Sequence, residues 1–281
     1  PLNRNVYNVT VSNNYILAAT LDGVFRSSDN GKSWRLAEGS PIVSGSGGTI
    51  GPHLFAKNGS YVFLLSWAQG LFRSADNGGS WQQVFVGRAG EGYQDYGASA
   101  TCIGTVGETI VIGRADSNPF PIYCSSDNGA TWEGAKLSRI DGYEDQLLSF
   151  HYTGGKLYAG GFMGFYMSAD SGKSWTTQYA GTVDSQGQYH GLGIFRDIVS
   201  YGSTLFAAVD FHGIQVSRDG GKTWTGFNEG LIPDWSFASL AVKPPYIWAL
   251  TGFFGNAYRR PLGEVATGVS ETSDAPSPVR L

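Results

Sequence analysis

The chain has 281 residues, with 41 glycines, 14% aromatic and only 15% charged residues, and a net charge of −4. A charged share well under the usual value of about 25% and the lack of a basic stripe argue against nucleic acid as a partner, and no apolar run reaches the roughly 18 residues of a membrane helix, so no membrane insertion is expected. So much glycine disfavours helices, where each costs about 1 kcal/mol, and suits many short strands joined by tight turns. A chain of this length buries roughly three quarters of its unfolded surface and can fold as one domain without staples.

From the N-terminus, alternating runs rich in β-branched and aromatic residues occupy Val6–Val11, Tyr15–Thr20 and Val24–Ser28, the period-two pattern of strands. The third run enters the phrase SSDNGKSW, Ser27 to Trp34. The pattern S-x-D-x-G-x-[ST]-W returns as SADNGGSW (Ser74 to Trp81), SSDNGATW (Ser125 to Trp132), SADSGKSW (Ser168 to Trp175) and SRDGGKTW (Ser217 to Trp224). Strands are expected before these phrases at Tyr61–Ser66, Ala98–Ile103, Ile110–Arg114, Leu147–Tyr152, Leu157–Gly160, Phe195–Val199 and Leu205–Val209. Successive tryptophans are 47, 51, 43 and 49 residues apart. That spacing, with β-type sequence, predicts propeller blades of four antiparallel strands. A sixth repeat opens near Ser236 with a strand at Phe237–Val242, but Arg259-Arg260-Pro261 stands where the phrase is due. The expected fold is therefore all-β: one six-bladed propeller over residues 1–262, with seven blades as the alternative if Leu36–Gly51 hides a further element. In the remaining segment, 263–281, Val265–Val269 is expected to complete the last blade, and the polar SETSDAPSPVRL reads as a linker. The start at Pro1 without a leader is expected to reflect trimming of an exported protein.

The repeated phrase makes local physical sense. Asp29, Asp76, Asp127, Asp170 and Asp219 can accept hydrogen bonds from turn amides. Gly31, Gly78, Gly129, Gly172 and Gly221 can take the positive φ of a tight hairpin. Trp34, Trp81, Trp132, Trp175 and Trp224 begin the next strand and bury a large ring. These residues read as structural rather than as a five-carboxylate site. Cys102 and Cys124 fall on the first and third strands of one blade. Strands two apart lie roughly 9–10 Å from each other, too far for a disulfide, so two free buried thiols are expected.

The phrase is the Asp box, or BNR repeat, and resembles the repeats of sialidases, sortilin-type receptors, photosystem II assembly factors and some xyloglucan hydrolases. The resemblance extends over residues 6 to 262 and implies an architecture rather than an activity. In such propellers the box hairpins lie on the outer rim, away from the central cleft. The tail is similar to another feature: Arg-Arg-Pro-Leu followed by an acidic, Ser/Pro-rich linker resembles the junction before C-terminal sorting domains of secreted Bacteroidetes-type proteins. That likeness implies a bacterial protein that is secreted or held at the cell surface.

A propeller binds ligands at the mouth of its channel, which is built by inter-blade loops and by loops between strands two and three. The inter-blade loops carry Tyr93, Asp95 and Tyr96, then Tyr143, Glu144 and Asp145, then Gln188, Tyr189 and His190, then Asp234 and Trp235. The loops within blades carry Trp67, Arg114, Asp116, Phe162, Asp210, Phe211, His212, Phe253 and Phe254. Aromatic faces stack on sugars and planar polar groups meet hydroxyls, so these loops suit a carbohydrate or a protein surface. The expected ligand-binding set is Trp67, Tyr93, Asp95, Tyr143, Glu144, Asp145, His190, Arg196, His212, Trp235 and Phe254.

No catalytic residue is assigned. The arginine phrase that opens sialidases has no match in Asn3-Arg4-Asn5-Val6, and Phe195-Arg196-Asp197-Ile198 echoes it in a different repeat. Arg26 and Arg73 directly precede Asp boxes, which places them toward the rim. His190 and His212 show no zinc-type ligand spacing, so no metal and no cofactor is expected. The reading is a monomeric, secreted, non-catalytic module that recognises a glycan or an extracellular protein. One alternative is a sialidase-like glycoside hydrolase, with a carboxylate pair drawn from Asp95, Glu144, Asp145, Asp210 and Asp234 at the spacings of retaining or inverting enzymes. The other is an assembly scaffold.

Overall fold

Residues 5–41, 53–66, 70–85, 100–114, 120–138, 140, 145–183, 189–229, 237–251 and 257–263 are described by the structure, a computed structural model. They form six antiparallel meanders, the blades of a β-propeller. The first blade is β1 (Val6–Ser12), β2 (Tyr15–Thr20), β3 (Gly23–Ser27) and β4 (Arg35–Leu36). The second is β5 (His53–Asn58), β6 (Tyr61–Ser66), β7 (Gly70–Ser74) and β8 (Gln82–Phe85), and the third is β9 (Ala100–Val106), β10 (Thr109–Arg114), β11 (Ile122–Ser125) and β12 (Glu133–Ala135). The fourth comprises β13 (Leu147–Thr153), β14 (Lys156–Gly161), β15 (Gly164–Ser168) and β16 (Thr176–Ala180). After a short hairpin of β17 (Thr182–Val183) and β18 (Tyr189–His190), the fifth blade runs through β19 (Phe195–Tyr201), β20 (Thr204–Val209), β21 (Gly213–Ser217) and β22 (Thr225–Gly226). The sixth has β23 (Phe237–Lys243), β24 (Tyr246–Thr251) and β25 (Ala257–Pro261). Its fourth strand, expected at Val265–Val269, falls outside the described residues, as does most of Leu36–Gly51. Arg260 pairs with Ile247 as Ser27 pairs with Ile16, so Arg-Arg-Pro occupies the place where a box would begin.

The chain groups into two compact units, Pro1–Lys136 with Ser171–Lys173, and Leu137–Asp170 with Ser174–Leu281. In the first, the near-continuous apolar run of β6 is explained by cover on both faces. Val62 and Leu64 pack with Leu17, Ala19 and Val24 of the first blade, whereas Phe63 and Leu65 pack with Ala100, Ile110 and Ile112 of the third. In the second, β20 does the same: Phe206 and Ala208 face Leu240 and Ile247, and Leu205, Ala207 and Val209 face Tyr158, Phe165 and Phe195. Each such leucine or phenylalanine contributes about 1.5–3 kcal/mol.

Antiparallel order puts the β1–β2-type turns at one edge of each blade, together with the Asp boxes of the first five, and the β2–β3-type turns at the other. In the first box, Asp29 Oδ1 accepts from Ser27 Oγ at 2.8 Å and Ser33 N at 2.9 Å, its Oδ2 accepts from Ser33 Oγ at 2.6 Å, and Ser27 Oγ accepts from Gly31 N at 2.8 Å. The same contacts recur around Asp127 and Asp219. Two successive left-handed residues make each turn: Asn30–Gly31, Asn77–Gly78, Asn128–Gly129, Ser171–Gly172 and Gly220–Gly221. The tryptophans sit just before the fourth strands, and the Trp34 and Trp224 indoles donate back to Gly31 O and Gly221 O at 3.0 Å. Boxes also latch onto the preceding blade. Ser12 Oγ donates to Asn77 Oδ1 at 2.9 Å, and Arg73 Nη1 donates to Asn128 O at 2.8 Å. Cys102 and Cys124 lie on β9 and β11, with β10 between them, and both are buried thiols outside any disulfide.

Candidate functional site

The edge opposite the boxes is built differently in different blades. In the fifth, Phe195 pairs with Val209 and the chain then turns through Asp210-Phe211-His212. Asp210 N donates to Ile194 O at 3.0 Å and His212 N to Val209 O at 3.1 Å. The Asp210 carboxylate accepts from Arg196 Nε at 2.9 and 3.1 Å and from Nη2 at 2.7 Å. This fork is buried on the acid side, at 7% exposure, and open on the arginine side, at 44%. It fixes the guanidinium plane while leaving one side of it to solvent. The His212 carbonyl is clamped by Asn228 Nδ2 and Gln215 Nε2, each at 2.7 Å, and Asn228 Oδ1 accepts from Ile214 N at 2.7 Å. The His212 ring is exposed, with Nδ1 3.2 Å from Asp210 O.

Between these clamped residues stands Phe211, at φ 63° and 82% exposed. A side chain in the left-handed region costs on the order of 1–2 kcal/mol. Leaving a phenylalanine in water forgoes a further 1.5–3 kcal/mol or so. Both features fall on one residue that its neighbours hold in place, which is the pattern of a functional position. The sequence places Phe211 in this loop; only its backbone angle and exposure single it out.

The fourth blade holds the corresponding junction with another device. Asp145 is 3% exposed and accepts from Phe162 N at 2.8 Å, Met163 N at 3.1 Å and Tyr166 Oη at 2.8 Å. Burial pushes its carboxyl above the usual range, against the pull of these hydrogen bonds. A Cβ on Gly161 would sit 2.3 Å from Asp145 Oδ2, so only glycine fits beside it. Asp145 therefore clamps the turn that presents Phe162, which is 36% exposed. His190 is exposed on β18, and Leu192 N nearby donates to Tyr179 Oη at 2.9 Å. Of the expected ligand-binding residues, Asp145, His190, Arg196 and His212 are thus placed, and Arg196 and His212 flank Phe211. Trp67, Tyr93, Asp95, Tyr143, Glu144, Trp235 and Phe254 lie outside the described residues. Among the described residues no three of His, Cys, Asp and Glu gather as metal ligands.

The arrangement offers an exposed ring for stacking, a fixed guanidinium and an imidazole for hydrogen bonds. Asp145 and Asp210, the two described candidates for a carboxylate pair, both use their oxygens to hold turns.

A model of the BNR/Asp-box repeat family matches residues 215–225, within the fifth blade. No curated protein sequence matches the chain. Solved structures share its fold. An ancestral GH74 enzyme aligns with TM-score 0.65 and 17% identity, over 92% of this chain and 37% of that one. The extracellular domain of BT4673 from B. thetaiotaomicron aligns with TM-score 0.65 and 14% identity, over 88% of this chain and 31% of that one. The chain thus spans well under half the length of either relative. YCF48 from Cyanidioschyzon merolae aligns with TM-score 0.59 and 13% identity, over 92% and 83% of the two chains, and YCF48 bound to D1 peptide with TM-score 0.51 and 16% identity, over 73% and 60%.

Proposed function

We propose that this BNR-type β-propeller is a non-catalytic recognition module, working outside the cell, that binds a glycan at the β2–β3-type turn edge of its blades. The observation that carries this reading is Phe211, strained and bare to solvent between a forked Arg196–Asp210 pair and the His212 imidazole. A flat apolar ring beside planar hydrogen-bonding groups matches a sugar, whose C–H face is apolar and whose rim is hydroxyl-rich. Phe162 on the adjacent blade belongs to the same proposed set. The engagement of Asp145 and Asp210 in turn-holding supports binding over hydrolysis. The extracellular domain among the structural neighbours is in keeping with the proposed location.

The test is a polysaccharide and glycan array probed with the purified chain and with Phe211→Gly. Glycine accepts φ 63° without strain, so the variant should fold at least as stably as the parent yet lose saturable glycan binding. Binding that survives Phe211→Gly would move the site elsewhere. An array with no saturable hit would end the glycan reading and leave a protein partner.

A further inference from the structure

The first blade sets Arg26 and Arg35 directly opposite each other across β3 and β4. Like charges in opposed positions on neighbouring strands repel. The equivalent pairs in the other boxed blades are Arg73 with Gln82, Cys124 with Glu133, Met167 with Thr176, and Val216 with Thr225. Among the described residues, this is the one boxed blade that opposes two cations at that position. Among the described residues, neither arginine has an ion-pair or hydrogen-bond partner. The contrast with Arg73 is direct, since that side chain donates to the next box at Asn128 O, 2.8 Å away. Arg26 instead lies over the Tyr15 ring, its Cζ 3.5 Å from the centroid.

These residues border a cleft of about 430 Å³, together with Ser28, Ser33 and the half-exposed Leu36. Gly79 keeps its floor open, because a Cβ there would stand 2.3 Å from Arg26 Nη1. Asp76 flanks the same point, but its oxygens are occupied by Ser74 Oγ, Gly79 N, Ser80 N and Ser80 Oγ. Two opposed, unpaired guanidinium groups beside hydroxyls form a receptor for an oxyanion.

We propose that this cleft binds a sulfate or carboxylate group carried on an acidic polysaccharide. Its volume is that of a pocket for a sugar-sized ligand rather than for a lone ion, and Leu36 adds apolar surface beside the charges. The cleft lies at the Asp-box edge of the first unit and its lining does not include Phe211, so it stands or falls independently of the glycan site proposed above.

The experiment measures binding of chondroitin sulfate, polygalacturonate and neutral dextran by titration calorimetry at fixed ionic strength, with sodium sulfate as the free-ion arm. The variants are Arg35→Ala, whose side chain is exposed and whose loss should leave the fold intact, Arg26→Gln, and Phe211→Gly. At least one acidic polymer should bind the parent, dextran should not, affinity should fall about tenfold or more in either arginine variant, and Phe211→Gly should keep it. Arg35→Ala alone suffices if Arg26→Gln fails to fold. Unchanged affinity in Arg35→Ala, dextran binding equal to that of the acidic polymers, or sulfate-ion binding without polymer binding would each overturn the proposal.

Discussion

Gly220 and Gly221 both adopt left-handed backbone, at φ 76° and 90°, yet they should respond in opposite ways to substitution. At the first position the other boxes carry Asn30, Asn77, Asn128 and Ser171 at φ 57°, 59°, 58° and 61°. A Cβ on Gly220 would meet only Tyr158 Oη, at an ordinary 3.7 Å. Asparagine tolerates this conformation, and replacing glycine also narrows the unfolded ensemble, so Gly220→Asn should change stability by less than about 1 kcal/mol. At Gly221 a Cβ would lie 2.3 Å from Phe165 Cε1 and 2.4 Å from Cδ1. That ring cannot step aside: it is fully buried, with Trp224 edge-on at 4.9 Å, Phe195 at 5.4 Å and Tyr158 at 5.7 Å. Backbone strain of about 1–2 kcal/mol and overpacking of about 1–3 kcal/mol together set the loss for Gly221→Ala at roughly 2–5 kcal/mol. Urea denaturation followed by tryptophan fluorescence, with m-values compared, measures both variants. Equal losses would refute the reasoning, because the difference rests entirely on the rigidity of Phe165.

Three hydroxyls, of Ser33, Thr131 and Thr223, lead the hydrogen bonds that hold Asp29, Asp127 and Asp219 at about 2. Folded values below the unfolded ones mean stability that is present above about pH 4 and lost as pH falls toward 2, so Asp219→Asn should make acid unfolding less steep. Asp197, raised by burial, titrates in the opposite sense, and Asp197→Asn should make acid unfolding steeper. Burial pushes the Cys102 thiol up to about 12, so it should resist a disulfide reagent at pH 8 in the native protein and react after denaturation.

The parts legible in the sequence are those whose partners are close along the chain. Ser27, Asp29, Gly31, Ser33 and Trp34 satisfy one another within a single turn, and the motif therefore announces its own geometry. β2 and β6 run over the expected residues, and in β6 apolar cover on both faces writes itself into the sequence. β5 gives no such signal: His53-Leu54-Phe55-Ala56-Lys57-Asn58 lacks alternation and pairs into the sheet through β6. The β17–β18 hairpin is two residues long on each side, too short for periodicity to show. Asp145 reads as a loop carboxylate open to ligand, whereas its partners Phe162, Met163 and Tyr166 lie 17, 18 and 21 residues onward. The Arg26–Arg35 opposition is visible only once β3 and β4 are paired in register.

The two edges of each blade therefore answer to different constraints. The box edge repeats nearly the same residues because the turn is built from them. The opposite edge repeats only the topology: Asp145 holds one junction and the Arg196–Asp210 fork holds the next, and side chains there are free to differ. That freedom has a physical condition, since a strained, exposed ring such as Phe211 persists only if the turn beneath it cannot relax. Asn228 supplies the condition by bonding both Ile214 N and His212 O. Asn228→Ala would leave the Ile214 amide without its partner, at a cost of about 1–3 kcal/mol, and would loosen the His212 carbonyl. The fold should survive while ligand affinity drops through loss of preorganisation, even though Asn228 itself holds the turn from beneath. Affinity equal to that of the parent in a folded Asn228→Ala protein would show that Phe211 does not depend on the clamp.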